Sequence, residues 1–102
     1  MTTKVVQDRE VLKTQIAGYP KAMQETVLEV FDKLRLYSPD YTITPCEKFD
    51  VDGEYFSIYV THPFGGISRS ALMIFDTIQS ARFIGVRVDH NKLSFMFYKG
   101  VF

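Results

Sequence analysis

Three stretches of the sequence carry side chains that could do chemistry. Asp50-Val51-Asp52-Gly53-Glu54 gathers three carboxylates around a glycine, and hard oxygen ligands of that kind suit a calcium ion. The spacing departs from the EF-hand pattern, where ligands at positions one, three and five precede a glycine at six and a glutamate at twelve. An acidic hairpin turn, with Gly53 free to take positive φ, accounts for the same residues, and no metal is expected. The two imidazoles, His62 and His90, both stand among turn-forming residues. A histidine base needs a nucleophile and an orienting partner within hydrogen-bond reach, and Ser68, Ser70 or Cys46 could be brought there only by the fold. No G-x-S-x-G, H-E-x-x-H, C-x-x-C or P-loop string occurs, so neither a catalytic residue nor a cofactor is assigned. Cys46 has Lys48 as its one neighbouring cation and reads as an inert thiol.

The third stretch is Phe64-Gly65-Gly66-Ile67-Ser68-Arg69-Ser70. Its glycines let backbone N–H groups converge, and two hydroxyls and an arginine complete the parts of an anion nest. A nest of that kind normally opens a helix, whereas here the next residues read as a strand. The segment is therefore expected to be an inter-strand loop, with Phe64, Gly65, Gly66, Ser68 and Arg69 as candidate contacts for a small anion or a partner.

These side chains must be positioned by an α+β scaffold. Asp8 is an N-cap for a short helix over residues 9–17, with Val11, Leu12 and Ile16 as its apolar stripe and Gly18 after it. A long amphipathic helix over residues 20–36 follows, its apolar face Met23, Val27, Val30, Phe31 and Leu34 and its polar face paired through Glu29 and Lys33. Pro39 ends it, and from there the period is two. Tyr41, Ile43 and Phe49 alternate with polar residues, but Pro45 makes that strand an edge or a bulged one. Phe56, Ile58 and Val60 alternate with Tyr55, Ser57 and Tyr59. The continuous apolar run of residues 70–75 is expected to be a central strand covered on both faces. Residues 80–100 read as a hairpin, with Ile84, Val86, Val88, Leu93, Phe95 and Phe97 on the core face and Phe83, Arg87, Met96 and Tyr98 on the other.

The expected fold is thus a single α+β domain over residues 1–102, with two N-terminal helices packed on a roughly five-stranded, curved, antiparallel meander. The outline is similar to that of cystatin-like and NTF2-like domains, a likeness of architecture that carries no function.

The 15% aromatic content comes from nine Phe and six Tyr, and 12 basic residues balance 12 acidic ones. Zero net charge removes the long-range field that steers chains to nucleic acid or anionic membrane. One cysteine cannot form an internal disulfide, and no run approaches the ~20 apolar residues of a membrane span, so a cytoplasmic protein is expected. The second sheet face, with Tyr55, Tyr59, Phe83, Arg87, Met96 and Tyr98, is the strongest functional lead, because those residue types dominate interface cores. Three functions compete for it. The first is a non-enzymatic protein-binding module of adaptor, chaperone-like or inhibitor type, acting as a homodimer or on another protein. The second is a single-stranded nucleic-acid platform, with tyrosines stacking bases and Arg69, Arg82, Arg87 and Lys99 meeting phosphates, which the neutral charge disfavours. The third is a ligand pocket or hydrolase using His62 or His90.

Overall fold

A computed structural model describes residues 7–45, 55–63, 66–89 and 92–98. Helix α1, Arg9–Gln15, starts where the Asp8 carboxylate accepts the N–H groups of Glu10 at 2.8 Å and Val11 at 3.2 Å. That satisfies donors that no helical carbonyl can reach. Helix α2, Lys21–Arg35, has Pro20 at its N-cap and buries Met23, Val27, Val30, Phe31 and Leu34, the expected stripe. Leu12 and Ile16 of α1 enter the same core cluster, so both helices lie on one side of the sheet. α1 therefore does not cover the second face.

The sheet has four antiparallel strands, β1 Thr42–Pro45, β2 Tyr55–Thr61, β3 Arg82–Asp89 and β4 Lys92–Tyr98, in the spatial order β1-β2-β4-β3. Two expectations are corrected here. Residues 70–75 are not a fifth strand: Ser68 caps a short helix α3, Arg69–Leu72, that continues as a 3-10 helix, Met73–Thr77. Ala71, Ile74 and Phe75 go into the core while Leu72 and Met73 stay exposed, a helical i, i+3, i+4 pattern inside an unbroken apolar run. The sheet is consequently not a meander. This helical segment carries the chain from β2 past β4 to the far edge, and β4 then returns to the gap between them.

Phe75 anchors that crossover. Its ring stacks on Phe95 at 3.7 Å with an interplanar angle of 2°, and it touches Phe83 and Phe97. The polar edge of α2 holds the segment after it. The Glu29 carboxylate accepts the Gln79 and Ser80 N–H groups at 2.9 Å, and Lys33 donates to the Thr77 carbonyl at 2.7 Å. The expected Glu29–Lys33 pair is also present at 3.0 Å.

A third correction concerns β3. The pairing with β4 slips between Phe83 and Gly85, so that Ile84 is an extra residue, and one extra residue inverts the alternation. Phe83, expected on the second face, opposes Phe97 and packs against Phe75, Phe95 and Phe97 in the core. Val86 and Val88 oppose Phe95 and Leu93 on the helix side as expected, yet Ile84, Val86 and Val88 are 47%, 44% and 75% exposed rather than buried. They lie on an edge strand beyond the cover of the helices.

Candidate functional site

Directly opposed residues of antiparallel strands share a face, so the register defines the second face of the sheet. Tyr55, Tyr98 and Arg82 form one row across β2, β4 and β3, Ser57, Met96 and Gly85 the next, and Tyr59, Ser94 and Arg87 a third. Thr44 of β1 extends the third row beside Tyr59. Tyr55 and Tyr98 are in ring contact at 4.6 Å, and the Lys92 ammonium lies 5.6 Å from the Tyr59 ring centroid. Tyr55 and Arg87 are exposed, and Tyr59, Met96 and Tyr98 are half-buried. Ser94, small and between two long side chains, is fully buried. Every described helix contributes buried residues to the core on the other side. Five of the six residues expected to share this face, Tyr55, Tyr59, Arg87, Met96 and Tyr98, are brought together on it, and Phe83 is not.

The nest segment is placed in part. Phe64 and Gly65 lie outside the described residues. Gly66 has φ 72°, in the left-handed region that glycine enters without strain. Contrary to expectation, a helix does follow it. The Ser68 hydroxyl accepts the Ala71 N–H at 3.1 Å as the α3 cap, and the Ser68 N–H donates to the Tyr41 hydroxyl at 3.3 Å. Those groups are used within the fold, and Arg69 is exposed. The His62 ring lies 4.9 Å from that of Tyr41, in a shallow cleft of about 510 Å³ lined by Tyr37, Ser38, Tyr41, His62, Ile67 and Ser68 among others, with no carboxylate among the described lining residues. His90, Cys46 and the acidic turn of residues 50–54 lie outside the described residues. No helix among the described residues is long and apolar enough to cross a membrane.

Two features were not anticipated. The Gln7 carboxamide donates to the Ile43 carbonyl at 2.8 Å and accepts the Ile43 N–H at 2.9 Å, standing in for a neighbouring strand along β1. At the opposite edge, no described strand pairs with the outer side of β3. Gly85 was the available signal there, because a glycine inside a strand pattern marks a bulge. Nothing in the pattern pointed to Gln7. Compared with known proteins, the chain matches no family model, no curated protein and no solved structure.

Proposed function

We propose that the chain is a non-enzymatic protein-binding module of adaptor, chaperone-like or inhibitor type, which receives a protein partner on the open face of its sheet through Tyr55, Tyr59, Met96, Tyr98 and Arg87. One observation carries this: all the described helices pack on one side, while the opposite side presents tyrosine, methionine and arginine together. Rigid aromatic rings supply large contact area at low entropic cost, and interface cores favour these residue types over lysine and glutamate.

The test is sedimentation at about 50 and 500 mM salt, with and without a mixed-sequence oligonucleotide. Assembly beyond a dimer, indifferent to salt and oligonucleotide, and lost in a Met96→Glu variant whose circular dichroism is unchanged, is the expected result. Salt-sensitive uptake of the oligonucleotide would assign the face to single-stranded nucleic acid instead.

A further inference from the structure

We infer that the outer edge of β3 pairs with the β3 of a second copy of this chain, antiparallel about a two-fold axis through Val86, joining two four-stranded sheets into one. This rests on the protein-binding role above and names a copy of the chain as one partner. An unpaired strand edge presents a row of N–H and C=O groups that templates another strand, and natural sheets usually blunt it. β3 runs over eight residues, Arg82–Asp89, and contains no proline. Its exposed side chains include Ile84, Val86 and Val88, apolar groups that remain in water in the monomer.

Charge disfavours one register. A two-fold axis at Arg87 would set Arg87 against its own copy, a like-charge pair that opposes association. Moving the axis by one residue to Val86 sets Arg87 opposite Gly85, which has no side chain to collide with it. On the helix side the same register sets Val86 against Val86 of the second copy, covering part of the exposed strip. The slip at Ile84 lies just outside the three central residues, Gly85, Val86 and Arg87, whose backbone is regular. An axis normal to the sheet keeps both sets of helices on one side and both open faces on the other, doubling the width of the binding platform. The balance of 12 basic against 12 acidic residues offers little electrostatic resistance.

Gly85 supplies the test. A Cβ added there meets nothing within 4 Å, so the monomer accepts a side chain. Sedimentation at concentrations up to about 100 µM should find a dimer for the parent chain. Gly85→Lys, opposite Arg87 of the second copy, should weaken it at least about tenfold, while Gly85→Glu keeps or strengthens it. Gly85→Lys combined with Arg87→Glu should restore the dimer. Val88→Lys, on the helix side and away from the open face, should also weaken it. A monomeric parent, or a dimer weakened equally by Lys and Glu at Gly85, overturns edge pairing. In the second case, a dimer lost in Met96→Glu and intact in Val88→Lys leaves open-face binding standing.

Discussion

The two edges of the sheet are finished in opposite ways. β1 is four residues long, ends in Pro45, and has both the N–H and the C=O of Ile43 occupied by the Gln7 carboxamide. A further strand would find few free partners along it. β3 is twice as long and, among the described residues, is held by its ladder with β4, by Phe83 against the core and by the Glu29 clamp on Gln79 and Ser80 just before it. Its exposed side chains include Ile84, Val86 and Val88 beside Arg82 and Arg87. Among the described residues, one end of the sheet meets a side-chain cap and the other has no neighbouring strand, and the difference comes from a few residues: a side-chain amide and a proline against three exposed aliphatics.

The contrast can be broken most sharply inside β3. Phe83→Ala should cost about 2–4 kcal/mol in urea denaturation, because the ring touches Phe75, Phe95 and Phe97 and its loss leaves a cavity. A change below about 0.5 kcal/mol would mean that Phe83 faces outward after all. At the closed edge, Gln7→Ala removes both bonds to Ile43 and should cost about 1–2 kcal/mol. Amide exchange at Ile43 should accelerate, bringing β1 closer to the state of β3.

Glu29 sharpens the comparison through pH. Burial pushes its carboxyl up, but hydrogen bonds from the Gln79 N–H, the Ser80 hydroxyl and N–H, and Lys33 together outweigh this and hold it at about 2, against an ordinary value of 4.5. A carboxylate depressed on folding contributes stability above its unfolded value, so that contribution is complete above about 4.5 and is lost as pH falls towards about 2. With 21% of the side chain exposed, solvent screening limits the effect to about 1 kcal/mol. Glu29→Gln should remove this part of the acid dependence in denaturation midpoints taken across the window. The smallest effect is expected at Val88, which is 75% exposed: Val88→Lys should change monomer stability by no more than about 0.5 kcal/mol.

What was legible in the sequence follows from periodicity. The α2 stripe and the alternation of β2 and β4 each carried one clear period, and the buried residues match it except in β4, where Ser94 of the second face is buried and Leu93 of the core face is half-buried. The open face was legible for the same reason, since Tyr55, Tyr59, Met96 and Tyr98 keep step with their strands. Residues 70–75 were not, because Leu72 and Met73 are apolar and exposed, which filled in the polar half of a helical period. Phe83 was misplaced because the bulge inserts one residue, and no alternation rule survives an odd insertion. Gln7 and Glu29 act across 36 and 50 residues of sequence, a range at which no local pattern reports a partner.

The position of β4 also sets the order in which the sheet can be made during synthesis. β4 lies between β2 and β3 but follows both in the chain, so until residues 92–98 have left the ribosome β2 has only β1 beside it and β3 has no described neighbour. Until then Phe56, Ile58 and Val60 of β2 lack half of their cover. The hairpin of β3 and β4 is local and closes quickly, whereas the β2–β4 pairing, which joins Phe56 to Phe97, must wait for it. Chains stalled on the ribosome before Lys92 should therefore be cleaved by protease within β2, and chains released with β4 should not.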